Sequence, residues 1–576
     1  MIARLAVVTL LLQVALAPSS QQVVKGSIEG VVVRLGSNEP IEGVRVSLTK
    51  APIALNLTRM GSSASVTTDS DGKFAFEELD AESYRLTFGS DGYVRQEYGQ
   101  RVFPGQGSPI ELAAGQTLKN IVVRMTPTGS VSGRVRDSDK NPLVSVPIQL
   151  VRYVYDSLGR RTLQAFGNAR TNDQGEYRIY FVTPGRYYLN AGTVGYDTPA
   201  AGRSEVRESY APRFYPGVAD VREAGVIDVH SGADIRGMDL TIARQPVFRV
   251  RGRIIDSSNG QSPARVNVRL IYHNPATGQD EDFNDIKGEA AIYDKGSFEF
   301  RDVVPGSFLV TATADDPAEP VAQAVEGPGE PRLPVSQSKH TGGVRIDVVN
   351  SDLNDVLLTI AGGASISGKI AVEGPKSLPS PPAQIAVYLT PSTNGRATTV
   401  FSVFTPGTST ISSDGTFRIQ NVTAGEYRIE YDSRWPPGFY LKEARLGGTD
   451  LLNRPLQFGG SESGTLDIVL SSNVAAVEGN VKSDLLVPVP AARVVLVPEK
   501  NRNRADLFRS VLTDQNGHFN IPNAVPGDYK MFAWEALEPF GYFDSEILRQ
   551  SEAKGVPVHI GELSRISLDL KVIPAQ

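Results

Sequence analysis

The sequence predicts an all-β protein built as a tandem array of five β-sandwich modules. Three observations predict it. First, a polar turn recurs five times, as "TTDSDGKFAF" (67–76), "TNDQGEYRI" (171–179), "IYDKGSFEF" (292–300), "ISSDGTFRI" (411–419) and "TDQNGHFNI" (513–521). Second, each copy is followed at the same spacing by a second turn and an aromatic residue. Third, the segments between turns alternate apolar and polar residues with period two, and no long stretch after the N-terminal segment has helical periodicity. At 576 residues the chain is too long for a single core.

Each unit opens with a strand that contains a glycine: "GSIEGVVV", "GSVSGRVR", "FRVRGRII", "ASISGKIA" and "AAVEGNVK". A proline-bearing loop follows, then a second strand carrying Val44/Val46/Leu48, Val146/Ile148/Leu150, Val266/Val268/Leu270, Ile385/Val387/Leu389 or Val494/Leu496. Next comes the polar turn with its glycine (Gly72, Gly175, Gly296, Gly415, Gly517), an aromatic two residues on (Phe74, Tyr177, Phe298, Phe417, Phe519) and an apolar residue four on. The second turn holds Pro184-Gly185, Pro305-Gly306, Ala424-Gly425 and Pro526-Gly527, with Glu82 in the first unit's glycine slot. Tyr84, Tyr187, Phe308, Tyr427 and Tyr529 come two residues later, and each unit closes with further alternating runs. This order reads as six or seven short strands per unit, the pattern of a sandwich. The expected boundaries are 26–128, 129–246, 247–363, 364–472 and 473–576, with a long polar loop at 315–343 in module 3. Short linkers predict end-to-end packing, a rod on the order of 150–200 Å at ~3.3 Å per strand residue.

Composition narrows the function classes. There are 58 basic and 64 acidic residues, a net charge of −6, so no basic field is available to hold a nucleic acid. With no cysteine, disulfides and thiolate metal sites are excluded, and each core must be stable by packing alone. Residues 1–20 read as an export signal: Arg4, an apolar run from Leu5 to Ala17, and the small-x-small triplet Ala15-Leu16-Ala17. Its retention as an anchor is the other reading, and no later stretch is apolar enough to span a bilayer. The expected location is therefore periplasm, cell surface or outside the cell.

The S-x-x-G-x-V strand, the P-x-x-x-V-x-L strand, the T-D-x-x-G-x-F turn and the P-G-x-Y turn resemble the carboxypeptidase regulatory-like module. That resemblance implies a transthyretin-like, immunoglobulin-like sandwich, related to collagen-adhesin B-type repeats and starch-binding-like domains. It extends over nearly all of the chain after residue 25, and the C-terminal "TDQNGHFNIPNAVPGDYKMFAWEALEP" is especially similar to the last module of large secreted bacterial proteins. Such motifs specify fold well and function poorly.

Candidate chemistry is sparse. The polar turn could be a calcium loop, but only the first copy has two carboxylates before its glycine. The feature common to all five is a glycine among polar turn formers, so the hairpin reading is preferred. A weak ion on Asp69, Asp71 and Glu77 or Glu78 is the alternative. His559-x-x-Glu562 matches half of a zinc-carboxypeptidase motif with no histidine downstream, and "GGSESG" (459–464) puts Glu462 where a hydrolase needs serine. The self-formed isopeptide bond of some related repeats needs a recurring lysine on the first strand, and none is shared. We therefore expect no catalytic residue, metal or cofactor.

Binding residues are expected in two aromatic stretches after the P-G-x-Y strand. "SRWPPGFYLKEARLGG" supplies Trp435, Phe439 and Tyr440; "FAWEALEPFGYFD" supplies Trp534 and Tyr542. Exposed, these rings would stack on sugars or grip a peptide; packed beneath a loop, they are satellite core. "YGQRVFPG" (98–105) and "YAPRFYPG" (210–217) form a repeated pair whose expected role is to cover a sheet edge. The function expected is that of an exported, non-catalytic binding or structural protein, its partner a polysaccharide or an envelope or matrix protein. The alternatives are a spacer or docking rod without glycan affinity and an accessory part of a secreted hydrolase system.

Overall fold

A computed structural model of the chain describes residues 24–50, 64–157, 159, 161–192, 208–210, 212–263, 266–274, 279–281, 292–294, 296–315, 339–377, 387–391, 411–412, 414–422, 425–431, 438–460 and 464–575. The expected export signal, Trp435 and residues 316–338 of the long polar loop lie outside them.

Module 1 gives the plan. Its strands are β1 (Gly26–Arg34), β2 (Arg45–Lys50), β3 (Ala64–Thr67), β4 (Lys73–Leu79), β5 (Ser83–Gly89), β6 (Gln96–Glu97), β7 (Ile110–Glu111) and β8 (Thr117–Met125). One sheet has the order β4-β1-β8, with β1 antiparallel to β4 and parallel to β8. The other has the order β3-β2-β5-β6, with β7 also on β5. Ile28 and Val32 face Val46, Leu86 and Phe88 across the core, all fully buried. The alternation that marked the strands is the alternation of buried and exposed faces: β4 reads exposed-buried-exposed-buried from Lys73 to Phe76.

The five polar turns share one construction. In every module the first strand donates an amide to the turn glycine's carbonyl: Val32 to Gly72, Val135 to Gly175, Ile254 to Gly296, Ile370 to Gly415 and Val481 to Gly517, at 2.8–2.9 Å. These glycines have φ between 71° and 89°, the left-handed region that strains any side chain. The glycine of the first strand then sits in register with the aromatic: Gly30 with Phe74, Gly133 with Tyr177, Gly252 with Phe298, Gly368 with Phe417, Gly479 with Phe519. A Cβ on Gly30 would come within 2.7 Å of the Phe74 ring, and one on Gly368 within 2.0 Å of the Phe417 ring. The recurring glycine is there because the neighbouring ring, a backbone carbonyl of the chain alongside, or both occupy the place of a Cβ.

Three modules depart from the plan. In module 3 the two sheets join into one of eight strands through Lys339–Val348 and Leu353–Gly362. At that seam His340 Nδ1 lies 2.5 Å from the buried carboxylate of Asp256. In module 4 the strand Tyr440–Leu446 joins the first sheet beside Thr465–Ser471. Module 5 covers the outer face of one sheet with a helix, Ser545–Ser551, flanked by 3₁₀ turns. Its strand Arg493–Pro498 is therefore buried on both faces. The sequence reading found no helix there, since seven residues hold too few turns to show a period. The usable signal is Asp544, which caps the helix by accepting the Glu546 amide at 2.9 Å.

The modules do not continue as a rod. Module 5 touches module 4, where Asn473 donates to Glu562 at 2.9 Å, and it also lies against modules 1 and 2. The reason is chemical: the loops at one end of modules 1 and 2 carry donors and acceptors that module 5 satisfies, as described next.

Candidate functional site

The aromatic stretches occupy other places than a binding loop. Tyr440 opens a strand, paired with Ser471, and is 6 % exposed; Phe439 is half-buried against the core of module 4. Trp534 and Tyr542 are 4 % and 5 % exposed and belong to a second core of module 5 with Val495, Phe508, Phe532 and Leu548. Trp534 stacks on Phe532 (5.1 Å between centroids) and donates its indole N–H to Ser551 at 3.1 Å. Burial pushes the Tyr542 hydroxyl up to about 12. The expectation of exposed rings at Tyr440, Trp534 and Tyr542 is therefore corrected. Module 5 has an outer sheet face rich in large apolar residues, and the helical segment after Trp534 closes over it.

Other candidates are likewise engaged. Asp69 accepts the amides of Asp71 (3.0 Å) and Lys73 (2.8 Å), the geometry of a turn, and the Asp71 carboxylate pairs with the Lys73 ammonium. His559 faces Asp528 at 2.7 Å, while Glu562 turns to Asn473 and Lys442 at the boundary of modules 4 and 5. In the repeated Y-x-x-R pair, the second copy supplies a short edge strand, Arg213–Phe214 on Gly185–Ala191, whereas the edge strand Gln96–Glu97 on β5 precedes the first copy; the bonds Phe103–Pro104 and Tyr215–Pro216 are both cis.

What the structure does bring together is a junction of modules 1, 2 and 5. Gln515, inside the last polar turn, accepts the Glu111 amide (3.1 Å) and donates to the Glu111 carbonyl (2.9 Å), so its carboxamide acts as one further residue on the edge of β7. Next to it the Ser108 hydroxyl donates to the Thr513 carbonyl. Arg101 pairs with Glu535 at 2.8 Å and donates to the Pro490 carbonyl at 3.1 Å.

The second half of the junction centres on Arg152. In the strand Pro147–Tyr155 it follows Ile148 and Leu150 on the core face, and it is 4 % exposed. Its guanidinium lies over Phe166 (4.5 Å) and Tyr187 (5.7 Å) and donates to the Phe103 carbonyl of module 1 at 2.6 Å. Glu538 of module 5 lies 3.5 Å away. A planar, delocalised cation can meet both ring faces and a carbonyl at once, which lysine cannot do. Nearby, the Tyr155 hydroxyl donates to Asp544 at 3.1 Å. One carboxylate thus caps the helix of module 5 and holds module 2. Sequence reasoning missed Arg152, although the arginine that continues an alternating apolar row was a usable signal.

Residues 27–126 match the family described as the carboxypeptidase regulatory-like domain. The match spans nearly all of module 1. The glycine–aromatic register and the turn bond of this matched module recur in modules 2 to 5. Across a larger part of the chain it is similar to Colossin-A of Dictyostelium discoideum, 23 % identical over 427 residues. The similarity covers 69 % of this chain but 3 % of the length of that relative. Among solved structures it is similar to the minor pilin GBS52 of Streptococcus agalactiae, at 14 % identity, 38 % of this chain, 97 % of that chain and a TM-score of 0.22. The shaft pilin spaA of Lactobacillus rhamnosus GG is 10 % identical, covering 39 % of this chain and 99 % of that one, with a TM-score of 0.18.

Proposed function

We propose that the chain is an exported, non-catalytic docking scaffold of fixed shape, whose last module locks back onto its first two. One observation carries this reading: module 5 meets both module 1 and module 2 through contacts with defined partners, Glu538 on the buried Arg152, Asp544 on Tyr155 and the reciprocal Gln515–Glu111 pair. A spacer needs length, and contacts of this kind shorten the molecule and fix the angles between modules. The role supported is to hold several surfaces in a set relation at or beyond the cell envelope, with a protein or matrix partner.

The absence of cysteine provides a clean test. A Cβ at Gly99 would lie 3.3 Å from that of Ala491, close to the separation that a disulfide spans; because Gly99 has φ of 71° and its Cβ would come 3.0 Å from that of Ser108, scattering by the unmodified chain is the control for strain. Oxidised Gly99→Cys/Ala491→Cys protein is expected to run as a compact species on a non-reducing gel, and small-angle scattering is expected to give a closed particle. If the cysteines stay reduced and scattering gives a rod on the order of 150–200 Å, the proposal is wrong.

A further inference from the structure

The hairpin strand of each module carries a bulge just beyond its buried apolar pair. Register shifts between Ile179 and Val182 in module 2, and at the matching place in the others, leave two residues unpaired. The second of the two has positive φ: Glu78 at 56°, Phe181 at 57° and Asn523 at 59°. The sequence puts Asp302 and Asn421 at the same position in modules 3 and 4. Short polar residues tolerate this backbone region, whereas a phenylalanine there is a genuine outlier. Only module 2 has aromatic residues at the bulge, and it has two of them. Tyr180 stands where its sisters have Glu77, Arg301, Gln420 and Pro522.

Neither ring gains burial in exchange. Tyr180 is 60 % exposed and Phe181 67 %, with centroids 6.4 Å apart and planes tilted by 48°. Bulges re-aim side chains, and strain kept without a packing gain points to function. Beside the rings lies an ordered polar row on the outer face of the sheet. The Arg178 guanidinium sits 5.0 Å over Tyr180 and donates to Ser130 and Asp234, both at 3.1 Å. Ser130 donates to Asp234 at 2.7 Å, and Arg236 donates to the other Asp234 oxygen. Arg134 pairs with Glu176 one step further along.

We propose that this face, Tyr180 and Phe181 with Arg178 and Asp234, binds a neutral polysaccharide. A sugar ring presents an apolar C–H face and a rim of hydroxyls, which fits exposed ring faces next to fixed donors and acceptors. Charge decides against an anionic polymer or nucleic acid: Arg134, Arg178 and Arg236 each rest on a carboxylate, so the row has little free positive field. The face is open and not a pocket, so each contact is weak and a polymer that can engage it repeatedly is favoured over a free monosaccharide. The proposal does not depend on how the five modules are arranged.

The test is affinity electrophoresis of the full chain in gels containing amylopectin, xyloglucan, mixed-linkage β-glucan or galactomannan, with polygalacturonate as the anionic control. Phe181→Asn and Tyr180→Ser/Phe181→Asn run beside the parent. Asparagine already holds this backbone position in module 5, so both variants are expected to fold, and Phe181→Asn is expected to raise the melting temperature. Retardation by at least one neutral polymer, weakened tenfold or more in the double variant, supports the proposal. No retardation by any neutral polymer, retardation unchanged in the double variant, or retardation by polygalacturonate alone overturns it.

Discussion

Gly252 shows how tightly one residue can be specified. A Cβ there would lie 2.0 Å from the Val356 carbonyl and 2.5 Å from the Phe298 ring. Backbone cannot give way as a flexible side chain can, so Gly252→Ala is expected to destabilise module 3 by roughly 1–3 kcal/mol, read by urea denaturation. In the same module Asp256 is 2 % exposed. Burial pushes its carboxyl up, but the Ser258 hydroxyl and amide, with His340, outweigh that and hold it below the usual carboxylate range. The ionised form therefore stabilises the fold at any pH above the unfolded value, about 4, and that stability is lost as pH falls through the folded value. Asp256→Asn is expected to lower stability at pH 7 and to flatten the loss of stability as pH falls below about 4 in thermal melts. The glycine was legible in the sequence because it recurs. The Asp256–His340 pair was not, because 84 residues separate its members and it occurs in one module only.

At the scale of the element, the polar turn of modules 1, 2 and 5 is held by a buried threonine as much as by its glycine. Thr68, Thr171 and Thr513 each accept an amide from the start of the second strand and donate to a carbonyl of the proline loop. Valine keeps the shape and removes both bonds, so Thr171→Val is expected to cost about 1–3 kcal/mol, seen as a lower urea midpoint with an unchanged slope. The helix of module 5 is an element of another kind. It covers Phe532 and Trp534, and its own Leu548 belongs to the same core. Trp534→Ala is expected to open this second core at a cost of roughly 3–5 kcal/mol, while the five turn-and-strand units keep their far-ultraviolet signature. The strands and turns were legible because period two and turn chemistry are local. The helical cap was not, since its apolar residues have a meaning only once the sheet face beneath them is known.

At the scale of the molecule, Arg152 joins the core of module 2 to the backbone of module 1 and faces a carboxylate of module 5. Replacement by methionine keeps the apolar stem but leaves the Phe103 carbonyl without its charged donor. Arg152→Met is expected to weaken the junction by about 1.5–3 kcal/mol and to increase the radius of gyration in small-angle scattering, with each module still folded. The exposed Arg101–Glu535 pair, about one-third accessible on both sides, is expected to contribute no more than about 1 kcal/mol in a double-mutant cycle.

The sequence by itself determined the repeat, the alternating strands and the turns, because each of these depends on residues a few positions apart. The register that sets Gly30 against Phe74 came from the fold. Tertiary structure alone decided which aromatic rings face water. Trp534 and Tyr180 sit in equally aromatic stretches, yet a cap segment covers the first, while a bulge with left-handed backbone turns the second and its neighbour Phe181 outward. It also decided that module 5 returns to modules 1 and 2. A contact between Gln515 and Glu111 leaves no periodic trace, because the side chains that form it are ordinary surface residues until two distant loops meet.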